Sequence, residues 1–298
     1  MKLRFIFNPR SGHNARSPYL LTHAREFIQN HRLDATVVAT EHPRHATELA
    51  RRAVEEGCEV VVAIGGDGTM NEVATALIDT PATLALIPCG SGNGLGRHLG
   101  IPGPGRGAFR NLLDGRPRLI DTGMANDRPF FNAMGLGFDA EISDRFTRVV
   151  RRGFPAYVRT TLAAWRSFRP VLVTITGENR TFTSPAFLVA VANSDQYGNN
   201  FLIAPGARVD DGQLNLTLLK PVGILPALPL VLRFFQGKID GSAHVERMQD
   251  RSFEIVRPEA GLIHTDGEAF RTDARVSVRV RPRSLRVLVP PGQVRGRS

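Results

Sequence analysis

The feature that most constrains this chain is the stretch from Glu59 to Glu72, which reads EVVVAIGGDGTMNE. The five consecutive apolar residues from Val60 to Ile64 are typical of a strand that is covered on both faces of a sheet. After the next turn, apolar residues recur at helical spacing and predict an amphipathic helix. These residues are Met70, Val73, Ala74, Leu77 and Ile78. The stretch is therefore interpreted as a strand, a tight turn and the start of a helix.

The turn contains Gly65, Gly66 and Gly68. Because glycine has no Cβ, we expect the backbone to reach positive φ and to let a phosphate approach the N–H groups at the positive end of the helix. Asp67 lies between these glycines, and a carboxylate repels phosphate unless a metal ion or a substrate hydroxyl separates the two. The turn therefore favours Mg²⁺-nucleotide chemistry. A glycine-rich turn that binds no ligand is the alternative for this motif taken alone.

Length and composition indicate an ordinary soluble globular protein. The 298 residues are 42% hydrophobic and 22% charged, which allows two domains or one large one. No apolar run reaches the ~18 residues that a membrane helix needs. The N-terminus has too short an apolar core for a secretory signal, so we predict a cytoplasmic protein. Cys58 and Cys89 are too few for a disulfide framework and are expected to be buried.

The net charge of +10 is concentrated in part between Arg145 and Arg169, where arginines alternate with aromatic residues. Such a mixture suits peripheral contact with an anionic bilayer. The alternative is a pair of helices that packs by its aromatic side and exposes a solvated basic face. Net charge alone also attracts nucleic acid, but the chain has no nucleic-acid reader motif, so no such partner is predicted.

Strands and helices alternate in the first 120 residues, which predicts a parallel sheet with right-handed crossovers. The predicted strands are 2–7, 35–40, 59–64 and 83–87, and the predicted helices begin near Ser17, Arg44 and the turn described above. Ligands of such sheets lie beyond the carboxyl ends of the strands. The polar turns at these ends are Asn8 to Gly12, Thr40, Gly65 to Thr69 and the loop after Ile87.

The loop after Ile87 has glycines at 90, 92, 94 and 96, with Ser91 and Asn93 between them. This density of glycine predicts a second close approach of the backbone to a ligand. A purely structural loop is the alternative.

From Arg128 onward strands dominate, which predicts an antiparallel β-sandwich domain. The predicted strands are 130–133, 171–176, 186–192, 214–219, 253–256 and 276–280. We therefore predict an α/β domain at 1–122 and a β-sandwich domain at 123–283. The segment 284–298 includes a further strand, SLRVLV, that either half could take into its sheet.

Six blocks resemble the diacylglycerol kinase catalytic family, which includes bacterial lipid kinases and sphingosine kinases. They are NPRSG at 8–12, GGDGTMNE at 65–72, PCGSGNGLG at 88–96, NAMGLGFDAEI at 132–142, IAPGARVDDGQLNL at 203–216 and DGE at 266–268. The resemblance covers nearly the whole chain. It implies a Rossmann-like nucleotide-binding domain, similar to those of phosphofructokinase and NAD kinase, followed by a β-sandwich domain for the lipid acceptor.

The resemblance also implies roles for individual residues, with ATP and Mg²⁺ as cofactors. Asp266 looks like the general base that accepts a proton from the lipid hydroxyl, Glu268 supports Asp266 or a metal, and Asp67 completes the predicted catalytic set. Arg208, Asp211 and Gln213 match a magnesium site that uses one carboxylate and main-chain carbonyls. Together with the glycine turns, the predicted nucleotide-binding set is Asn8, Pro9, Arg10, Ser11, Gly12, Thr40, Gly65, Gly66, Asp67, Gly68, Thr69, Met70, Asn71, Glu72, Ser91, Gly92 and Asn93.

The chain departs from the family at Gly94, where many members have aspartate, and this puts part of the usual metal and water network in doubt. Asp121 is a candidate replacement. An alternative interpretation is that Asp266 and the Asp210–Gly212 stretch are ordinary turns. The prediction is a cytoplasmic, membrane-surface lipid kinase acting on diacylglycerol or a sphingoid-type lipid, for which a homodimer is an option. The alternatives are a kinase with a soluble acceptor, as in NAD kinase, and a catalytically silent nucleotide- or lipid-binding regulator.

Overall fold

The computed structural model describes residues 1–12, 14–15, 19–147, 161, 164–165 and 167–292, without the side chains of 146 and 147. The chain divides into two compact units. Unit 1 contains Met1–Thr122, Gly198–Asn200 and the chain from Pro282 onward, and unit 2 contains Gly123–Tyr197 and Phe201–Arg281.

Unit 1 is built on a parallel sheet in the strand order β2-β1-β3-β4, and the last part of the long strand β16 (Arg275–Val289) extends this sheet beside β4. Its core packs apolar residues of β1, β3 and β4 against helices α1 and α5. The strands are β1 (Lys2–Phe7), β2 (Asp34–Ala39), β3 (Val60–Gly65) and β4 (Thr83–Pro88). The helices are α1 (Tyr19–Asn30), α2 (His45–Glu55), α3 (Asp67–Leu77), α4 (Gly94–His98) and α5 (Arg106–Asp114).

Unit 2 is a β-sandwich. One sheet is antiparallel throughout, in the order β12-β11-β10-β7-β14-β15, and in the other β13 pairs with β8 and with the first part of β16. Side chains of both sheets form one apolar core, with Val191 and Leu216 from the first and Ile255 and Val278 from the second. Two strands belong partly to each unit, β5 (Arg116–Ala125) and β16 (Arg275–Val289). The other strands are β6 (Arg128–Phe130), β7 (Ala133–Gly137), β8 (Val171–Thr176), β9 (Thr181–Ala186), β10 (Leu188–Ala192), β11 (Leu214–Leu219), β12 (Val245–Asp250), β13 (Ser252–Val256), β14 (Gly261–Thr265) and β15 (Glu268–Thr272).

The predicted fold class, a parallel α/β domain followed by an antiparallel β-sandwich, is confirmed. One predicted strand is wrong. The chain from 130 to 133 is not a single strand, because β6 ends at Phe130 and β7 begins at Ala133. The N–H groups of Phe131, Asn132 and Ala133 all donate to a side-chain carboxylate instead.

The apolar run Val222–Leu232 contains Pro226 and Pro229, yet it forms most of a helix, α7 (Ile224–Gln236). Pro226 lies in the first turn, where a backbone N–H has no helical partner, so it is tolerated. Helix α6 (Phe138–Thr147) and α7 cover the outer face of the six-stranded sheet in unit 2, where Phe138 and Phe234 contact its small residues. None of the helices in the described part of the chain is long and apolar enough to cross a membrane.

Most of the basic and aromatic segment from Arg145 to Arg169 lies outside the described residues, including Arg148, Arg151, Arg152, Arg159 and Arg166. At its start, Arg145 forms an ion pair with Glu141 at 2.8 Å. The predicted bilayer contact of this segment therefore stays a prediction.

Candidate functional site

In unit 1, the loops that follow β1, β3 and β4 meet at one edge of the sheet and will be called the strand-end loops (residues 8–12, 65–69 and 89–94). Asn8 Nδ2 donates to Thr69 Oγ1 at 2.8 Å, and the N–H of Gly66 donates to Ser11 Oγ at 2.7 Å. Thr40 follows β2 at the same edge, and its N–H donates to the carbonyl of Phe7. The parallel order of the strands thus brings together loops from four separate parts of the sequence.

The carboxylate of Asp67 joins two of these loops. Its Oδ2 accepts the N–H of Asn93 and its Oδ1 accepts the N–H of Gly94, each at 2.8 Å. Asn93, at φ +51°, closes its own loop by exchanging hydrogen bonds with the backbone of Gly90. Asp67 therefore has a structural role in addition to any contact with a ligand.

Positive φ does not explain the turn glycines, contrary to our expectation. Gly65, Gly66 and Gly68 do not have positive φ. Close packing explains most of the glycines in these loops. An added Cβ would lie 2.4 Å from Thr69 at Gly65, 2.7 Å from the Cα of Gly66 at Gly90, and 2.8 Å from Asp67 Oδ2 at Gly92. At Gly68 it would meet no atom within 4 Å. Most of these glycines therefore allow the loops to contact one another.

The first turn of α3 provides unsatisfied polar groups. Its N-cap residue, Gly66, offers no side-chain cap, and the first N–H groups of a helix have no intrahelical acceptor. Asn71 follows this turn in α3, and its buried Oδ1 accepts no hydrogen bond within the described structure. Backbone N–H groups and the positive end of the helix dipole favour an anion, and an amide oxygen suits a hydroxyl or amino group. The donor set thus fits a phosphorylated ligand that also carries polar hydrogens.

The other residues of the predicted nucleotide-binding set differ from one another in exposure and in hydrogen-bond partners. Glu72 belongs to α3, and its carboxylate accepts the N–H groups of Arg44 and Ala46 at the start of α2, at 3.2 and 3.0 Å. Met70 is buried. Exposed positions in the strand-end loops are Pro9, Arg10, Gly12, Gly68 and Ser91.

Two further residues of unit 1 bear on its chemistry. Burial raises the pKa of the Cys89 thiol, and hydrogen bonds with Ser11 and Asn14 offset part of this rise. Asp121, the candidate replacement for the family aspartate, is only 1% exposed and accepts the N–H of Arg283. Because Arg286 pairs with Thr83 at the start of β4, Arg283 and Asp121 lie at the amino end of the sheet. The strand-end loops lie at its other end, so Asp121 does not replace the missing carboxylate.

In unit 2, Asp266 and Gly267 form the two-residue turn between β14 and β15, which will be called the Asp266 hairpin. Both residues have positive φ, +50° and +88°, the geometry of a type I′ turn for which Asp-Gly is a preferred pair. The carboxylate of Asp266 receives hydrogen bonds from a part of the chain that is distant in sequence. It accepts the N–H of Phe131 at 2.8 Å on Oδ2, and those of Asn132 and Ala133 at 2.8 and 3.0 Å on Oδ1.

A buried network lies directly behind the Asp266 hairpin. The N–H of Gly267 donates to His264 Nδ1 at 3.2 Å, so this nitrogen is an acceptor and the ring proton is on Nε2. Nε2 lies 3.0 Å from Asp139 Oδ2, which also accepts the hydroxyl of Tyr197 at 2.8 Å. The side chains of His264 and Asp139 are 5% and 11% exposed. Three elements that are distant in sequence therefore fix the orientation of this turn.

Sequence reasoning missed this network and the buried polar groups near it. Asn132 Oδ1 accepts the hydroxyl of Ser194 at 3.0 Å, and Gln196 Oε1 is buried with no hydrogen-bond partner in the described structure. The available signal was the polar run NSDQYGN at 193–199, which directly follows a buried strand. An orphaned buried acceptor in such a cluster is a candidate contact for a ligand hydroxyl.

The predicted metal residues lie in one turn of unit 2. The N–H of Gln213 donates to Asp211 Oδ1 at 3.0 Å, which is the geometry of an ordinary aspartate turn, and Gln249 Nε2 donates to Oδ2 at 3.2 Å. Asp211 and Arg208 are exposed. One carboxylate and neighbouring carbonyl groups are hard oxygen donors of the type that Mg²⁺ prefers. Glu268 is exposed at the start of β15, opposite Thr265.

A different cluster, His42, His45 and Glu48, has potential ligand atoms within 4.8 Å of one another. The N–H of Glu41 donates to His45 Nδ1 at 3.1 Å, so the ring proton of His45 is on Nε2. This ring therefore offers no lone pair in the observed arrangement, and we do not interpret the cluster as a metal site.

Comparison with known proteins gives matches over both units. A family model described as the diacylglycerol kinase catalytic domain matches residues 2–125. A second model, described as the YegS C-terminal NAD kinase beta sandwich-like domain, matches residues 132–289.

Whole proteins are also similar. A protein from Enterobacter sp. (strain 638), named "Probable lipid kinase YegS-like", is 30% identical over 81% of this chain and 83% of its own length. A Bacillus subtilis (strain 168) protein named "Diacylglycerol kinase" is 27% identical over 90% of this chain and 89% of its own. A crystal structure of a diacylglycerol kinase from Bacillus anthracis str. Sterne superposes with a TM-score of 0.74 at 21% identity, covering 98% of both chains. This last likeness concerns the fold.

Proposed function

Since the chain belongs to the diacylglycerol kinase catalytic-domain family and is a lipid kinase by that membership, we propose that it transfers the γ-phosphoryl group of ATP to a hydroxyl group of a lipid. The proposed acceptor is a diacylglycerol or a sphingoid-type lipid, and Mg²⁺ is the proposed metal. The protein would act at a membrane surface, because such acceptors reside in bilayers.

The strand-end loops support the nucleotide part of the proposal. Phosphoryl transfer depends on positioning and on stabilising negative charge, and the first turn of α3 directs its N–H groups to where phosphate oxygens would lie. Asn8, Ser11 and Thr69 hold these loops together through side-chain hydrogen bonds. We assign them to shaping the phosphate site, with Asn71 Oδ1 as an acceptor for a polar hydrogen of the nucleotide.

Two carboxylates are candidates for Mg²⁺. Asp67 lies at the first turn of α3, and Asp211 lies with the main-chain carbonyls of Arg208 and Gln213 in the exposed turn of unit 2. A bound magnesium ion neutralises charge on phosphate oxygens. Asp67 already holds the Asn93–Gly94 backbone, so it would serve the loop and the metal together.

The observation that carries the proposal is the state of Asp266. Three backbone N–H groups donate to its carboxylate and fix the direction in which it points. The side chain remains partly exposed at a hairpin turn. A carboxylate held in one orientation is suited to orient a lipid hydroxyl and to accept its proton as the phosphoryl group arrives.

The test is Asp266→Asn, assayed with ATP, Mg²⁺ and a total lipid extract, followed by separation of labelled lipids. We expect turnover to fall by about 10²–10⁴-fold, the usual contribution of a proton acceptor. The exposed Glu259→Gln change in the loop before β14 is the matched control and should leave turnover unchanged. Thermal melting of both variants checks folding.

Wild-type turnover by Asp266→Asn would refute the assigned role. ATP binding by the wild-type protein without transfer to any lipid would refute the proposed activity and would favour a regulator.

A soluble-acceptor kinase is the second candidate, because the model that matches unit 2 is described as NAD kinase beta sandwich-like. Phosphorylation of a water-soluble acceptor without vesicles or detergent would favour it over a lipid kinase.

A further inference from the structure

Helix α7 is apolar on nearly all sides, although the described residues of the chain cover only one side of it. Ala227, Leu230 and Phe234 are buried against unit 2. A helix that is apolar all round is normally buried all round. The side of α7 that faces away from unit 2 therefore needs an explanation.

Four large side chains form this uncovered side, which will be called the α7 stripe. Leu225 is 78% exposed, Leu228 59%, Leu232 61% and Phe235 49%. Their spacing of three, four and three residues places them on one face of the helix. Within the described residues, the other exposed large hydrophobic side chains are Met1, Tyr19, Leu113 and Leu172, which come from different elements. The exposed apolar surface is therefore concentrated on α7.

The charges around the stripe are mainly positive. Helix α7 contains no acidic residue, and Arg233 and Lys238 are exposed at its C-terminal end. Arg233 and the exposed His244 also line a groove beside the helix. The nearby acidic residue Asp240 forms an ion pair with Arg247 at 2.7 Å. An occupant of this surface would therefore be apolar with an anionic border.

We propose that the α7 stripe inserts into the boundary between headgroups and acyl chains of an anionic bilayer, while Arg233 and Lys238 bind lipid phosphate groups. An apolar face bordered by cations is the pattern of helices that lie in a membrane interface. This inference rests on the proposed function, because a kinase for a bilayer lipid must reach its acceptor there.

A second copy of the chain fits the stripe less well. A stable protein interface uses about 20–30 residues on each side. Four side chains on one helix fall well short of this, whereas insertion into a bilayer needs no complementary protein surface.

The test measures sedimentation of the full-length protein with vesicles of phosphatidylcholine alone and of equal parts phosphatidylcholine and phosphatidylglycerol. We expect binding to the mixed vesicles and at least a tenfold loss in the triple variant Leu225→Gln, Leu228→Gln and Leu232→Gln. Arg233→Ser with Lys238→Ser should lower binding to the mixed vesicles and remove the preference for them. The control is Leu113→Gln with Leu172→Gln, which removes exposed leucines elsewhere and should bind like the wild type.

Insertion is measured separately with an environment-sensitive fluorophore on Leu228→Cys, with labelled Leu172→Cys as the control. The native Cys58 and Cys89 are buried, so labelling can be directed to the new cysteine. We expect a blue shift with mixed vesicles at position 228 alone.

Wild-type vesicle binding by the triple variant would overturn the inference. A wild-type dimer that becomes monomeric in the triple variant would also overturn it, since a second copy would then cover the stripe. Turnover of a dispersed short-chain diacylglycerol separates the two proposals, because the α7 variants should retain this turnover. If the wild type phosphorylates no lipid, the proposed function fails whatever the vesicles show.

Discussion

At the scale of single residues, the glycines of the strand-end loops serve contacts between loops as well as access for a ligand. The Asp67 carboxylate packs against Gly92, and the backbone of Gly90 packs against Gly66, so closely that neither Gly90 nor Gly92 has room for a Cβ. The sequence pattern indicated that these glycines let a phosphate approach the backbone. The structure shows that they also let the loops pack closely against one another.

Two glycine variants separate these roles. Gly92→Ala places a Cβ 2.8 Å from Asp67 Oδ2, so we expect a loss of about 1–3 kcal/mol from overpacking. Gly68→Ala meets no atom within 4 Å and lies within α3, so it should stabilise the protein by up to about 1 kcal/mol. Urea unfolding measures both values. Equal effects of the two changes would contradict the packing explanation.

At the scale of elements, the Asp266 hairpin is held by α6 through a buried histidine. His264 bonds both the N–H of Gly267 and the carboxylate of Asp139, so it joins the turn to the first turn of α6. This arrangement predicts a positioning role for a residue that need not touch the substrate.

We expect His264→Leu to cost about 1–3 kcal/mol, because it removes one of the hydrogen-bond donors to the largely buried Asp139 carboxylate, and Tyr197→Phe to cost about 0.5–1.5 kcal/mol. If the network positions Asp266, His264→Leu should also lower kcat about tenfold or more, as small displacements at a reacting centre do.

The KM for ATP should stay near the wild-type value in both variants, because His264 and Tyr197 belong to unit 2 and the strand-end loops to unit 1. Steady-state kinetics and thermal melting provide the measurements. A His264→Leu variant with reduced stability and unchanged kcat would restrict the network to a structural role.

At the scale of the whole molecule, strand β16 contributes to both units. Its first part pairs with β13 in unit 2, and its last part pairs with β4 in unit 1. Leu285, Val287 and Val289 of this last part are fully buried, and the carbonyl of Leu288 accepts Asn111 Nδ2 at 3.2 Å.

A chain that ends at Arg281 should therefore lose the fold of unit 1, because β4 would expose an edge and each lost buried side chain is worth about 1.5–3 kcal/mol. A chain that ends at Gly292 keeps every described pairing of β16 and should unfold like the full chain. Urea unfolding followed by circular dichroism compares the two. An unchanged midpoint for the shorter chain would contradict the assignment of β16 to the core of unit 1.

Local sequence was sufficient for much of the fold. The apolar run from Val60 to Ile64, the glycine turn and the helical spacing that follows depend on neighbours within a few residues, and β3 and α3 form where these patterns predict. The division into a parallel α/β half and an antiparallel half followed from the same periodicities. Helix α7 was missed because prolines at 226 and 229 weigh against a helix locally, while packing of Leu230 and Phe234 stabilises it.

The sequence motifs of the candidate site were predictable, whereas the hydrogen bonds that connect them were not. The sequence by itself determined which turns carry glycine, aspartate and asparagine, because turn chemistry is local. Only the tertiary structure decided that Asp67 holds residues 93 and 94, that Asp266 binds N–H groups more than 130 positions away, and that Asp121 lies at the far end of its sheet. The physical reason is that a hydrogen bond depends on distance and direction in space, and the order of strands in a sheet sets both independently of separation along the chain.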